Sequence, residues 1–317
     1  MKQNNRTAGE IVKQFDVKGK VFLVTGAYSG LGAATTKALL TVGAKVIIAG
    51  RNQKLQDEFL ESLKKEIPSL DSNLVDGSLT LDLGSLASIK EFAFKIKSKY
   101  KQIDCLINNA GVMNTGYGIT KDGFEVQMGT NVIGHFLLSK ILVDITKRQV
   151  WLSSRAHNLI GVPPGDNVHD NIKAPRINLE IIKNVDEKNY DSWHRYQQSK
   201  LGDILLAKQF FLEYPHLKTC AVHPGVVKTN LGRHTSFFTL LKYLVRMITG
   251  KGNKIVTPEI GASTQTLCAI MPNEQLVNGG YYADCEITQE AEAAKVKEDA
   301  KKLYDYCNEV TKSFQVA

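Results

Sequence analysis

The chain has 317 residues, of which 43% are hydrophobic and 23% are charged, a composition typical of a soluble globular protein with one substantial core. Its 40 basic and 32 acidic residues give a formal net charge of +8. The lysines are dispersed and no basic run alternates with aromatic residues, and this distribution argues against a nucleic-acid-binding protein.

Cysteine spacing and the first residues indicate where the protein works. The five cysteines lie far apart and form no Cys-x-x-Cys pair, which argues against a metal site or a redox dithiol and fits a reducing compartment. Residues 1–20 are polar, unlike a signal peptide, and no apolar stretch has the length of a membrane span. We therefore expect a soluble cytoplasmic protein without a bound metal.

Short apolar runs and longer amphipathic segments alternate from residue 21 onward. Strands are predicted at residues 21–24, 45–49, 78–81, 103–107, 150–152, 219–222 and 281–282, and helices at 31–42, 55–67, 85–100, 131–146, 193–214 and 289–313. Strands buried on both faces are apolar without alternation, and repeated strand–helix–strand units form a parallel sheet covered by helices. The sequence therefore predicts a doubly wound α/β fold of the Rossmann type, as one domain over residues 1–317.

The first strand is followed by a glycine-rich turn, TGAYSGLG at residues 25–32. Glycines let the backbone approach phosphates, and a helix N-terminus offers N–H donors and a positive dipole end. Such a turn alone is a weak signal, but its place between a buried strand and a helix is where a dinucleotide pyrophosphate binds. Its Gly-x-x-x-Gly-x-Gly spacing differs from the Gly-x-Gly-x-x-Gly fingerprint.

The end of the second strand bears on the choice of nucleotide. Proteins that prefer NAD carry an acidic side chain there, which binds the ribose 2′-hydroxyl. Here Ala49 and Gly50 end the strand without an acid, and Arg51 offers a guanidinium that suits a 2′-phosphate. A surface arginine in a loop is the alternative interpretation, but the missing acid favours NADP(H).

Tyr196 and Lys200 are four positions apart in a predicted helix, so their side chains share one face. An ammonium near a phenol favours the phenolate and lowers the tyrosine pKa from about 10, which suits proton transfer at an alcohol oxygen. A Tyr-x-x-x-Lys spacing is common by chance. It indicates an active site here only because polar residues also follow two of the predicted strands. They are Asn108-Asn109-Ala110-Gly111 and Ser153-Ser154, at the sheet edge where α/β proteins bind ligands.

In chain order, these motifs resemble the short-chain dehydrogenase/reductase family over about residues 18–285. The order is TGxxxGxG, Asp82, NNAG, Asn131, a serine, YxxxK and Pro-Gly. Within the family the chain is most similar to the retinol dehydrogenase and carbonyl reductase branch, through NNAGVM at 108–113, GHFLL at 134–138, SKL at 199–201 and AVHPGVVKT at 221–229. The resemblance implies an NADP(H)-dependent oxidoreductase that interconverts a carbonyl and an alcohol.

The resemblance also implies a role for each motif residue. Tyr196 is the proton donor, and Lys200 holds the nicotinamide ribose and tunes the tyrosine. Ser154, the second of its pair, binds the carbonyl oxygen, and Asn131 holds a water that links Lys200 to solvent. Asp82 and Leu83 face the adenine, Asn109 the adenosine ribose, and Val227 and Thr229 the carboxamide. The implied cofactor site as a whole is Gly26, Ser29, Gly30, Leu31, Gly32, Arg51, Asp82, Leu83, Asn109, Ala110, Gly111, Tyr196, Lys200, Pro224, Gly225, Val227 and Thr229.

Two segments set this chain apart from compact family members. Ser154 and Tyr196 are 42 positions apart (196 minus 154), so residues 157–191 are expected as an insertion beside the site. It could cover the helix used for association, so we expect a monomer or homodimer. Residues 234–256, apolar at 236–248, are interpreted as a lid that favours a lipophilic aldehyde or ketone. A core helix, or a patch that rests on a membrane surface, is the alternative.

A second class of function stays open, an NADP(H)-binding regulatory protein with little or no turnover. The intact set of Asn131, Ser154, Tyr196 and Lys200 argues against it, because a non-catalytic descendant is free to lose any of them. A nucleotide-sugar epimerase is disfavoured by the glycine spacing and the lack of a larger C-terminal domain. His135, His157 and His223 have no metal-ligand spacing and are expected to pack or hydrogen-bond.

Overall fold

The structure is a computed structural model that describes residues 5–160, 176–183, 186–227 and 255–316. The strands in these residues are β1 (Val21–Thr25), β2 (Lys45–Ala49), β3 (Val75–Asp76), β4 (Cys105–Asn108), β5 (Arg148–Leu152), β6 (Lys218–His223), β7 (Val226–Val227), β8 (Ile255–Val256), β9 (Gly280–Ala283) and β10 (Glu286–Thr288). Eight of them form a sheet in the order β10-β9-β6-β5-β4-β1-β2-β3, and β7 pairs with β8. Every pairing is parallel except that of β9 with β10.

Helices connect the parallel strands. In the described residues they are α1 (Ala8–Val12), α2 (Gly30–Thr41), α3 (Gln53–Glu66), α4 (Leu86–Lys99), α5 (Val126–Met128), α6 (His135–Ile141), α7 (Glu180–Lys183), α8 (Ser192–Glu213), α9 (Pro258–Gly261), α10 (Ser263–Ile270) and α11 (Lys297–Thr311). A π-helical turn, Gly129–Gly134, joins α5 to α6. Short 3-10 segments lie at Ser72–Leu74, Val143–Ile145, Arg155–Leu159, Glu292–Lys295 and Lys312–Phe314.

Each face of the sheet carries its own apolar core. Leu23 and Ile47 pack with residues of α4, α6, α8 and α11, whereas their neighbours Phe22 and Val46 pack with residues of α1, α2, α3 and α10. Successive strand residues point to opposite faces of the sheet, and both faces are covered by helices. Neighbouring strand residues must therefore all be apolar, which explains the unbroken apolar runs. The predicted doubly wound α/β fold with helices on both faces is confirmed.

The third strand differs from the prediction. It was expected at residues 78–81, but β3 is Val75–Asp76, and Thr80 forms only an isolated bridge with Gly50. The Asp76 carboxylate accepts hydrogen bonds from the Ser78 amide at 3.2 Å and from its hydroxyl at 2.7 Å. These bonds form a local turn at Asp76–Ser78, so the strand ends at Asp76 and does not continue through the predicted residues 78–81.

Three other boundaries also differ. The helix expected to begin at Asn131 begins at Val126, so that Asn131 lies inside the π-helical turn. The strand containing residues 281–282 is not the last one, because the chain turns at Asp284 and Cys285, which have positive φ values of 53° and 65°, and returns as β10. The final helix begins at Lys297, eight residues later than predicted at 289. No helix in the described ranges is long and apolar enough to cross a membrane.

Candidate active site

The glycine turn lies at the carboxyl end of β1 and opens α2. Gly26 and Gly30 have positive φ values of 65° and 51°, which few residues other than glycine adopt. A Cβ on Gly32 would lie 2.3 Å from the Gly26 carbonyl oxygen. Ser29 is the N-cap residue of α2 and makes no side-chain cap bond within the described residues. The turn therefore presents backbone N–H groups at a helix N-terminus, an arrangement that fits a dinucleotide pyrophosphate.

Hydrogen bonds tie this turn to the loop after β4. The Thr25 hydroxyl oxygen accepts bonds from the amides of Asn109 and Ala110, both at 2.9 Å. The Asn109 side-chain Nδ2 donates to the Thr25 carbonyl at 2.7 Å, and its Oδ1 accepts from Gln265 at 3.2 Å. The side chain of Asn109 is thus engaged within the protein, where it fixes the position of the Ala110 and Gly111 backbone.

Arg51 and Asp82 lie at the same edge of the sheet, after β2 and β3 respectively. Arg51 is exposed directly after β2 and forms no ion pair with any described residue. The Leu81 amide donates to the Gly50 carbonyl at 2.8 Å, which brings Asp82 alongside. One Asp82 oxygen is 3.1 Å from Lys121 Nζ. The guanidinium of Arg51 is therefore accessible to an anionic group of a ligand.

Tyr196 and Lys200 meet on the buried face of α8, as their spacing predicted. Both residues are 5% exposed, and Lys200 Nζ lies 5.8 Å from the centre of the Tyr196 ring. Lys200 Nζ donates to the Leu152 carbonyl at 2.7 Å, at the end of β5. A Cβ on Gly111 would lie 3.7 Å from Lys200 Nζ and 3.3 Å from Asn131 Oδ1. The lysine, the asparagine and the NNAG loop thus converge.

Asn131 is completely buried in the π-helical turn, a feature that is frequent at functional sites. Its Oδ1 accepts from the Val112 amide at 2.9 Å, and its Nδ2 donates to the Val112 carbonyl and to the Ser199 hydroxyl, both at 3.0 Å. Its side chain therefore joins the loop after β4 to α8. The water-holding role implied by the resemblance stays a prediction.

The two serines after β5 have different partners. The Ser153 hydroxyl is buried and donates to the Lys200 carbonyl at 2.6 Å, so it fastens β5 to α8. The Ser154 hydroxyl oxygen accepts from the Ala156 amide at 3.2 Å, and its proton is donated to no other described residue. A hydroxyl that accepts one bond and keeps its proton can donate to a ligand, which favours Ser154 as the substrate-binding serine.

The prediction that His135 packs or hydrogen-bonds is confirmed, although the sequence did not identify its partners. Its Nδ1 lies 3.0 Å from the Asn131 carbonyl and its Nε2 lies 2.9 Å from the Thr25 hydroxyl. Burial lowers the pKa of His135 to about 3, although the bond to Asn131 acts in the opposite direction. The ring is therefore neutral, with Nδ1–H donating to Asn131 and Nε2 accepting from Thr25. Its position four residues after Asn131 was the available signal.

Asp203 is a residue that sequence reasoning missed. Its Oδ2 lies 2.8 Å from Lys200 Nζ, and the two side chains are 3% and 6% exposed. The signal was an acidic residue one helical turn after Lys200, immediately before the apolar run Ile204-Leu205-Leu206. A charge at such a position needs a partner, because an unpaired buried carboxylate is strongly disfavoured.

The remaining cofactor residues of the prediction follow β6. Gly225 has a positive φ of 86°. A Cβ on Gly261 would lie 2.5 Å from Val227 Cγ2 and 2.9 Å from Leu31 Cδ2, so Val227 lies beside the first turn of α2. Thr229 lies outside the described residues, as do residues 234–254 of the predicted lid and residues 161–175 and 184–185 of the predicted insertion.

Comparisons with known proteins identify the family of the chain. A family model described as short chain dehydrogenase matches residues 20–151. Retinol dehydrogenase 14 of Mus musculus is 35% identical over 300 residues, which cover 90% of this chain and 84% of that protein. Retinol dehydrogenase 11 of Homo sapiens is 33% identical over 306 residues, with 94% and 88% covered.

A solved structure of an uncharacterized protein from Mycobacterium paratuberculosis superposes with a TM-score of 0.71 at 26% identity, and covers 95% of this chain and 97% of its own. The identity to the curated relatives extends over at least 90% of the chain, well beyond the residues 20–151 that the family model matches. The chain therefore belongs to the short-chain dehydrogenase/reductase family of oxidoreductases, and within that family it is retinol dehydrogenase-like.

Proposed function

We propose that the protein is an NADP(H)-dependent oxidoreductase that interconverts a lipophilic aldehyde or ketone and its alcohol. The observation that carries this proposal is the convergence of Lys200 with Tyr196 and Asn131 beside the glycine turn. The curated relatives are named retinol dehydrogenases, and retinol is a lipophilic alcohol. The names support the reaction class, and the site residues support the chemistry.

The cofactor would lie along the carboxyl edge of the sheet. The turn from Gly26 to Gly32 would hold its pyrophosphate, and Arg51 its 2′-phosphate, because a guanidinium binds phosphate with two parallel hydrogen bonds. Asp82 and Leu83 would face the adenine, and Val227 the carboxamide. When bound, the nicotinamide supplies hydride to a carbonyl carbon or accepts it from an alcohol carbon.

The chain's own residues would then manage the proton and the charge. Tyr196 would donate its phenolic proton to the carbonyl oxygen as a C–H bond forms at carbon, and the resulting phenolate would take a proton from solvent. Ser154 would donate a hydrogen bond to the same oxygen. The ammonium of Lys200 would favour the phenolate. Donors held in place before the reaction stabilise the developing charge without reorganisation.

The test is consumption of NADPH and of NADH by the purified protein with retinoids, steroids, small ketones and aliphatic aldehydes of increasing length. We expect NADPH to be preferred and kcat/KM to rise about fourfold per methylene, since burial contributes about 0.8 kcal/mol for each. A flat series, or a preference for sugars, would contradict the lipophilic substrate. Tight NADPH binding without turnover on any carbonyl would instead support a regulatory protein.

The assembly and location that we propose are a monomer or homodimer in the cytoplasm, with peripheral membrane contact allowed but not required. Light scattering of the purified protein measures the first, and a stable tetramer would contradict it. Flotation with phospholipid vesicles measures the second, and membrane contact predicts that a fraction of the protein rises with the lipid.

A further inference from the structure

Lys200 is held from two sides within the protein. Its ammonium donates to Asp203 Oδ2 at 2.8 Å and to the Leu152 carbonyl at 2.7 Å. An ammonium has three N–H donors, so one is left for another acceptor, such as a cofactor hydroxyl. The third donor is aimed by the first two, because two fixed hydrogen bonds determine the direction of the remaining N–H bond.

Few charges other than this pair act on the space around it. Tyr196 lies one turn earlier on α8, and His135, on α6, is near enough that the charge of Lys200 opposes its protonation. Tyr281, on β9, is near enough to Tyr196 that an ionised Tyr196 raises its pKa, but burial is the larger cause and keeps Tyr281 neutral. Other charged groups, on α8 and on the segments packed against it, have partners of their own. These pairs are Arg148 with Asn273 and the Cys268 carbonyl, Arg155 with Asp284, Arg176 with Asp299, Lys208 with Glu290, and Lys295 with Glu292.

The protonation states of the pair follow from burial and from mutual attraction. Burial disfavours the ammonium, but the carboxylate of Asp203 holds the pKa of Lys200 above its usual value. Burial raises the pKa of Asp203 to about 6, although the ammonium acts in the opposite direction. Both groups are therefore charged at neutral pH, and the phenol of Tyr196 experiences an ion pair instead of an isolated positive charge.

We propose that Asp203 is a positioning residue for Lys200, which fixes the ammonium against the Leu152 carbonyl and offsets part of its charge at Tyr196. The inference rests on the proposed function of Tyr196 and Lys200. A carboxylate near a phenol disfavours the phenolate, whereas an ammonium favours it. The carboxylate thus sets how far Lys200 can lower the pH at which Tyr196 ionises.

The variant Asp203→Asn tests the inference, because it keeps the size and one acceptor oxygen and removes the charge. We expect the ionisation midpoint of Tyr196 to fall by roughly one pH unit, the size of a nearby charge effect on a pKa. The midpoint is read from the near-ultraviolet absorbance of tyrosinate in the substrate-free protein. Each protein is titrated together with a second version that also carries Tyr196→Phe, and the difference between the two curves isolates the ionisation of Tyr196. The rising limb of kcat/KM for alcohol oxidation should move by the same amount.

Two further variants separate charge from packing. Asp203→Glu restores the carboxylate, and its midpoint should return close to that of the wild type. Asp299→Asn removes another buried carboxylate, which is paired with Arg176 outside the site, and should lower the melting temperature without moving the midpoint. An unchanged or higher midpoint in Asp203→Asn, or an equal fall in Asp203→Glu, would overturn the inference. If Asp203→Asn does not fold, Asp203→Ser carries the same expectation.

The titration and the turnover assay fail independently. The absorbance measurement needs neither substrate nor cofactor, so a wild-type protein without turnover would overturn the proposed function and leave the titration readable. A wild-type protein with normal turnover and an unmoved midpoint in Asp203→Asn would overturn only the role of Asp203.

Discussion

The glycine turn at residues 25–32 and the Tyr196–Lys200 region lie at the same sheet edge, yet they are built from different groups. The turn is shaped by missing side chains, since the Gly32 position has no space for a Cβ. The Tyr196–Lys200 region is shaped by buried polar residues that bond to one another, with Lys200, Asp203, Asn131 and Ser199 all at most 5% exposed. Substitutions in the glycine turn are therefore expected to act by steric clash. Substitutions in the Tyr196–Lys200 region are expected to act by changing proton transfer and charge.

The largest expected effect is in the Tyr196–Lys200 region. Tyr196→Phe removes one hydroxyl and keeps the ring, so we expect turnover to fall about a hundred- to ten-thousandfold, the usual loss for a general acid. NADPH affinity, measured by fluorescence titration, should change little because the glycine turn is untouched. Tyr214→Phe is the matched control, since Tyr214 caps the far end of α8. Near wild-type turnover in a folded Tyr196→Phe protein would refute the mechanism.

The corresponding change in the turn is Gly32→Ala. The added Cβ would lie 2.3 Å from the Gly26 carbonyl oxygen and 2.6 Å from Asn109 Nδ2, so the turn must shift. We expect a stability loss of about 1–3 kcal/mol, typical of an overpacked site, together with weaker NADPH binding. Gly9→Ala is the control, because the nearest atom to its Cβ would be 3.8 Å away. Thermal melts and NADPH titration measure both, and equal behaviour of the two variants would contradict the steric account.

The next effect is expected at Arg51, directly after β2, and is confined to cofactor binding. Arg51→Gln should weaken NADPH binding by about 1–3 kcal/mol, the range for a charge-assisted hydrogen bond. NADH binding by the same variant is the internal control and should be unchanged, because NADH lacks the 2′-phosphate. Lys54→Gln removes a nearby exposed charge on α3 and should affect neither cofactor. If the wild type binds NADH as tightly as NADPH, the assignment of Arg51 is wrong.

The two regions also differ in how far the sequence predicts them. Gly26 and Gly30 predicted the turn directly, because a left-handed backbone conformation strongly favours glycine. The i,i+4 spacing of Tyr196 and Lys200 predicted that their side chains share one helix face. The π-helical turn around Asn131 was not predicted, since apolar spacing over one turn does not distinguish it from an α-helix. Asp203 was missed although it lies one turn after Lys200 in the predicted helix, because most acid–lysine pairs at this spacing lie on exposed helix faces and contribute little. His135 was correctly expected to pack or hydrogen-bond, but its partner Thr25 is 110 positions away, so only the fold identifies it.

His135 connects the two regions, and it yields the smallest and most pH-dependent prediction. His135→Phe keeps an aromatic ring but leaves the Thr25 hydroxyl and the Asn131 carbonyl without this partner, which should cost about 1–2 kcal/mol at pH 8. The folded pKa of about 3 lies below the ordinary value of 6.5, so protons favour the unfolded wild type increasingly as the pH falls below 6.5. The variant has no such group, so the stability difference should shrink or reverse at pH 5. Urea unfolding at both pH values measures it, with the exposed His216→Phe as the control. A constant difference would show that folding does not lower the pKa of His135, and a difference that grows at pH 5 would show that the folded protein favours the charged ring.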